Sequence, residues 1–110
     1  MLPKKNRLTK KKDFDSVFKQ GKGLKFGFLY LKYKKNNLKA SRFGFVVGKN
    51  FSKKAAQRNK IKRRLREIIK NKLSKIEPGT DIIIVAMPGA EDDFNQLGQI
   101  IDKLFKKASL

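Results

Sequence analysis

The stretch Asp81-Ile82-Ile83-Ile84-Val85-Ala86-Met87 lies between two Pro-Gly pairs, Pro78-Gly79 and Pro88-Gly89. An apolar run of that length between such breakers is too short for a helix and is predicted to be a strand. Its apolar residues do not alternate with polar ones, which predicts a central strand covered on both faces. Such a strand requires a layer above it and a layer below. A chain of 110 residues must supply both within one domain and one modest core.

The covering elements are legible on either side. A first helix is predicted from about Lys10 to Lys19, with Thr9 as N-cap, Asp13 and Asp15 early, and Phe14, Val17 and Phe18 at helical spacing. Gly21 is expected to close it in the left-handed conformation, and Gly21-Lys22-Gly23 reads as a turn. Residues 24–35 alternate as a strand, with Phe26, Phe28, Tyr30 and Lys32 facing one way and Leu29, Leu31 and Tyr33 the other. Residues 42–48 form a second strand. A long helix then runs from about Lys53 to Lys75 behind Ser52 as N-cap, and a last helix from about Glu91 to Lys107. The last helix is expected to bury Phe94, Leu97, Ile100, Ile101, Leu104 and Phe105 along one stripe. The order is α-β-β-α-β-α, with the long strand whole or split in two. It describes a small α+β sandwich with one mixed sheet backed by helices, a single domain over residues 1–110.

Charge indicates the partner. Lys and Arg number 29 against 9 acids, a net charge of +20. Residues 1–76 carry 26 cations and 3 acids, whereas 77–110 carry 3 cations and 6 acids. Self-repulsion on that scale opposes compaction, and its one-sided placement points to a polyanion, nucleic acid above all. With no Cys and no His, the chain lacks a disulfide framework, a Cys-based zinc site and the commonest general base. The segment MLPKKNRLTKKK lacks the apolar stretch of a secretory signal, and no apolar run is long enough to span a bilayer. The expectation is a soluble, cytoplasmic protein with no membrane partner.

The two later helices treat charge in opposite ways. In the last, Glu91, Asp92 and Asp93 meet the positive end of the helix dipole, and Lys103, Lys106 and Lys107 the negative end. The central helix places Lys53, Lys54, Arg58, Lys60, Lys62, Arg63, Arg64 and Arg66 in its first half and has Glu67 as its only acid. Each cation in the first turn costs about 0.3–1 kcal/mol at low salt. At about 100° per residue, Ile61, Leu65, Ile68, Ile69, Leu73 and Ile76 form the buried stripe. Asn59, Arg63, Arg66 and Lys70 cluster opposite, while Arg58 and Lys62 fall in register with the apolar stripe. A solvated basic face is one reading. A phosphate-binding helix accounts better for the unopposed sign, the dipole end and the two cations in the stripe.

Aromatic residues admit two readings as well. Phe14, Phe18, Tyr30 and their neighbours are core by default, but aromatics beside a basic surface also stack unpaired bases. Catalytic motifs fail. Gly44 to Lys49 resembles a P-loop one residue short and without the Ser or Thr after Lys, and Asp13, Asp15 and Glu67 are too scattered for a nuclease cluster.

Arg58-Asn59-Lys60-Ile61-Lys62-Arg63-Arg64-Leu65-Arg66-Glu67 closely resembles the signature helix of the bacterial ribonuclease P protein subunit. The resemblance extends to Asn6-Arg7-Leu8, to Asp13-Phe14 through Val17-Phe18 and Gly21, to Arg42 through Val47, and to Asp81 through Val85. It departs in Lys60, where the family's triplet ends in Arg, and in a loop from Gly48 to Lys54 about one residue longer than usual. The resemblance implies a left-handed βαβ crossover around the signature helix. It also implies a large RNA partner that hydrolyses precursor tRNA at the 5′ leader with Mg²⁺ held on the RNA, the protein acting as a monomer. Arg58, Asn59, Lys60, Lys62, Arg63 and Arg66 would contact that RNA, together with Arg7, Lys53 and Lys54. Phe14, Phe18 and Tyr30, with Lys49 and Asn50, would line the cleft for the leader. The competing expectation is a ribosomal or other structured-RNA binding protein with no enzymatic role. A duplex-DNA reader is a poorer fit without a dimerisation seam or helix-turn-helix pair.

Overall fold

A computed structural model describes residues 2–48, 52–76, 78–87 and 94–108. Its strands are β1 (Lys22–Phe26), β2 (Leu29–Lys35), β3 (Arg42–Val47) and β4 (Thr80–Ala86), and its helices α1 (Lys11–Gln20), α2 (Ala55–Lys72) and α3 (Phe94–Ala108). The four strands make one mixed sheet in the order β1-β2-β4-β3. As its apolar run predicts, β4 is central, antiparallel to β2 and parallel to β3, with Ile82, Ile83 and Ile84 fully buried.

Strand periodicity sends these isoleucines to opposite faces. Ile82, Ile84 and Ala86 join the main core with Leu29, Leu31 and Phe43 beneath the apolar stripes of α2 and α3. Ile83 packs on the other side with Leu8 and with Val17 of α1. In α2 the stripe is Ile61, Leu65, Ile68 and Ile69; in α3 it is Leu97, Ile100, Ile101, Leu104 and Phe105. Phe94 departs from the expected stripe. It is exposed at the start of α3, lining a shallow groove with Ile68 and Gly98 instead of reaching the sheet. Glu91, Asp92 and Asp93 lie outside the described residues.

The predicted strand 24–35 is two strands. Gly27 adopts φ 60 in the turn between β1 and β2, and Phe26 pairs with Leu29 across it. The reversal resets the alternation. Phe26 and Phe28 therefore pack toward the main core instead of sharing a face with Tyr30. The same hairpin places Phe26 beneath α3, where Lys103 and Lys107 Nζ lie 4.9 and 5.1 Å from its ring centroid. Lys22 and Gly23 belong to β1, not to a turn. Gly21 is extended (φ −79, ψ 162), and its smallness serves close packing: a Cβ there would sit 2.7 Å from the Tyr33 carbonyl oxygen. The N-cap of α1 is Lys10, one residue beyond Thr9, and makes no side-chain capping bond.

The N-terminal segment extends the sheet at its β3 edge. Arg7 bridges Phe43 in parallel, and the Leu8 N–H donates to the Phe43 carbonyl at 2.9 Å. Asn6 is buried and donates to the Ser41 carbonyl at 2.7 Å, while Leu2 enters the main core.

One ion-pair network ties the layers together. Arg42 donates to both carboxylate oxygens of Asp81 (2.8 and 2.6 Å) and to Asp13 of α1 (3.1 Å). Asn36 donates to Asp81 as well, at 2.8 Å. The hydrogen bond to Asp81, reinforced by the charges of Asp81 and Asp13 against the opposing effect of burial, raises the Arg42 pKa, so the guanidinium stays charged. Removing one partner of a buried pair strands the other. Arg42→Ala should lower stability by about 2–4 kcal/mol in urea unfolding, because Asp81 is buried. Asp13→Asn, at the more exposed end, should cost under about 1 kcal/mol. Equal losses would contradict this division.

Candidate nucleic-acid interface

α2 starts where the dipole least favours cations, and the structure shows how little compensates. Its N-cap, Lys54, makes no side-chain capping bond, and no acid occupies the first turn. The predicted cap Ser52 sits two residues earlier, its Oγ accepting from the Lys54 N–H at 3.2 Å and donating to Gln57 at 2.6 Å. Arg58 folds back so that Nη1 donates to the Ser52 carbonyl at 2.9 Å. This contact, with the half-burial of Arg58 and Lys62, shows how two cations in apolar register are accommodated: they line the flank of the helix, not the core. Asn59, Lys60, Arg63 and Arg66 are exposed, as are Lys53 and Lys54 before the helix and Arg7 on the N-terminal segment.

A second surface lies on the opposite face of the sheet. Strand pairing sets three rows across that face. Lys34, Asp81 and Arg42 form one; Lys32, Ile83 and Gly44 the next; Tyr30, Val85 and Val46 the third, extended by Lys25 of β1. α1 lies over the middle row, with Val17 against Ile83 and Phe14 over Gly44, where an added Cβ would meet the ring at 2.4 Å. Ser16 and Gln20 accept from Lys34, and Asp13 from Arg42, so this flank of α1 faces the first row. At about 100° per residue Phe18 falls on the opposite flank, toward the third row. It is 40% exposed, and Tyr30, Val46 and Val85 are half-buried. Phe18 of α1 and the row of Lys25, Tyr30, Val85 and Val46 thus border one open trough on this face. The Tyr30 ring lies across Gly23, where a Cβ would stand 2.3 Å from the hydroxyl.

The fold thus separates the predicted site residues into two groups. The basic residues of α2 occupy one side of the sheet, and Phe18 and Tyr30 the other. Phe14 is packed on Gly44 and half-buried. Lys49 and Asn50 lie outside the described residues. Sequence reading missed Lys25, Val46 and Val85, whose common row exists only once the hairpin and β4 pairings are known, and Gly23 of the neighbouring row, across which the Tyr30 ring lies. Among the described residues no three acidic side chains gather as a metal site, and no helix is long and apolar enough to cross a membrane.

A small α+β domain with a basic helix on one side and an aromatic trough on the other belongs to the class of RNA-binding subunits. Comparison with known proteins agrees. The family model for ribonuclease P matches residues 2–109. The chain is 34% identical over 112 residues to the ribonuclease P protein component of Pseudanabaena sp., covering all of this chain and 97% of that one. It is 36% identical over 94 residues to that of Thermotoga petrophila, covering 86% and 80%. Among solved structures, the RNase P protein of Staphylococcus aureus aligns with a TM-score of 0.85 at 30% identity, covering 94% of each chain. The protein from Thermotoga maritima aligns at 0.81 and 32% identity, covering 92% and 96%. The chain belongs to the ribonuclease P protein family, the protein component of the ribonucleoprotein endoribonuclease that processes the 5′ end of tRNA. That family membership displaces the reading as a ribosomal protein without an enzymatic role.

The start of α2 should respond to relief of its charge. Lys54→Asp supplies both a cap and a favourable dipole partner. It should stabilise the free protein by about 1 kcal/mol in urea unfolding at low salt. Added salt should shrink the gain. No gain would mean that the helix start is under no electrostatic stress.

Proposed function

We propose that this chain binds the large catalytic RNA of ribonuclease P through the exposed face of α2 and holds the 5′ leader of precursor tRNA in the trough beside α1. Arg58, Asn59, Lys60, Lys62, Arg63 and Arg66 form the RNA-facing side, with Arg7, Lys53 and Lys54 around it. Their guanidinium forks and ammonium groups suit phosphate oxygens, and the uncapped helix start offers backbone N–H groups to the same anions. Phe18 and Tyr30 take the unpaired leader, with Lys25 toward its phosphates and Phe14 supporting α1 from beneath; Lys49 and Asn50, outside the described residues, are further leader contacts that the family resemblance implies. Hydrolysis and the Mg²⁺ that serves it belong to the RNA, and one copy of the protein acts per holoenzyme.

The observation that carries this reading is that the two surfaces lie on opposite faces of one sheet. Two RNA segments can then be bound together without competing for the same side chains. Counterion release from α2 supplies affinity, and stacking in the trough supplies preference for a single strand.

Added to its cognate RNA and precursor tRNA at low Mg²⁺, the protein should raise 5′ cleavage above RNA alone; no gain would refute the proposal. In the same system Phe18→Ala should weaken leader-bearing precursor relative to mature tRNA by ~1–3 kcal/mol, the contribution of one stacked base. An equal loss for both RNAs would assign Phe18 to the fold alone.

A further inference from the structure

A cavity of about 340 Å³ lies along the outer edge of β3, between the N-terminal segment and the flank of α2. It borders the basic face of α2, with which it shares Arg7 and Arg66, and lies apart from the trough at Phe18 and Tyr30. Its inner wall is apolar: Leu8, Phe43 and Gly44 are buried, and Phe14 and Phe45 half-buried. Its exposed lining residues are Arg7 and Thr9 of the N-terminal segment and Arg66 of α2, which together form a rim with two guanidinium groups and a hydroxyl. Arg7 is held there by its backbone bridge to Phe43 and by its Nε, which donates to the Leu2 carbonyl at 2.8 Å. Gly44 keeps the wall open to Phe14, whose ring occupies the space that a side chain would fill.

We infer that this cavity is a binding site for a single unstacked RNA nucleotide. The volume is at the lower end of small-molecule sites, the scale of one nucleotide and not of a helix. Phe14 and Phe45 present aromatic surface for a base, and Arg7 and Arg66 present charge for its phosphate. A purely electrostatic site would need no apolar wall, and a purely apolar void would not bring the charge of Arg66 to its mouth. The inference rests on the reading of α2 as an RNA-binding face and adds a base-accepting pocket at its border. The nucleotide comes either from the catalytic RNA or from the leader.

Nitrogen–proton NMR spectra of the full chain, titrated with AMP, GMP, CMP or UMP and separately with inorganic phosphate, test it. At least one mononucleotide should move the backbone signals of Thr9, Gly44 and Phe45, while phosphate moves the side-chain signals of Arg7 and Arg66 and leaves Gly44 and Phe45 in place. Thr9→Phe, at an exposed rim position and without change of charge, should fill the mouth and reduce mononucleotide affinity at least about five-fold, the low end for one lost stacking contact. Stoichiometric catalytic RNA or a single-stranded leader oligonucleotide should displace the mononucleotide, and the one that does so identifies the source. Phosphate reproducing the full pattern, shifts that stay on α2, unchanged affinity in Thr9→Phe, or displacement by neither RNA would each overturn the site. Because these readouts need no cleavage, loss of the site and loss of the holoenzyme function are separately visible.

Discussion

The structure depends on the burial of β4 from both sides. Ile82 and Ile84 are covered by α2 and α3 and Ile83 by α1 with Leu8, so a strand of seven residues requires a helical layer on each face. That requirement separates the two candidate surfaces. α1 covers one face of β4 and α2 with α3 the other, so the basic helix and the trough beside α1 fall on opposite sides of the sheet. The Arg42 network reinforces this arrangement by joining β3, β4 and α1 through Asp81 and Asp13.

α2 shows stability yielding to function within one element. Its apolar stripe is fully buried and would anchor a helix of any surface chemistry. Its first half nevertheless concentrates cations where the backbone dipole is already positive, leaves the N-cap without a side-chain partner, and tucks Arg58 against a loop carbonyl. The cation crowding and the missing cap raise the energy of the free protein, the Arg58 contact offsets part of that, and a bound polyanion relieves the charge crowding. The contrast with the end of α3 is direct: there Lys103 and Lys107 lie over the Phe26 ring, and the cations serve the fold.

Much of this was legible in the sequence because the signals were local. The apolar run of β4, the stripes of α2 and α3 and the order of signature residues each identify an element without long-range information. Position 27 was harder. A single glycine with φ 60 turns one predicted strand into a hairpin and moves Phe26 to the other face. The alternation on either side is equally regular, so periodicity alone does not reveal the reversal. Phe94 failed for a related reason: helical spacing places it on the apolar stripe but does not say where the helix leaves the sheet. The rim made by Arg7 and Arg66, and the row from Lys25 to Val46, join residues far apart in sequence and become visible only through pairing. The membership of Arg58 and Lys62 in the apolar register was an anomaly in the sequence, and their half-burial on the flank resolves it.

The central claim is that opposite faces of one sheet hold two different RNAs at once. Site-directed photocrosslinking in the assembled holoenzyme with precursor tRNA addresses it directly, with the crosslinker placed at position 63 on α2 or at position 18 on α1. The account predicts that position 63 marks the large catalytic RNA and position 18 marks the 5′ leader. Crosslinks from both positions to the same RNA segment would contradict it.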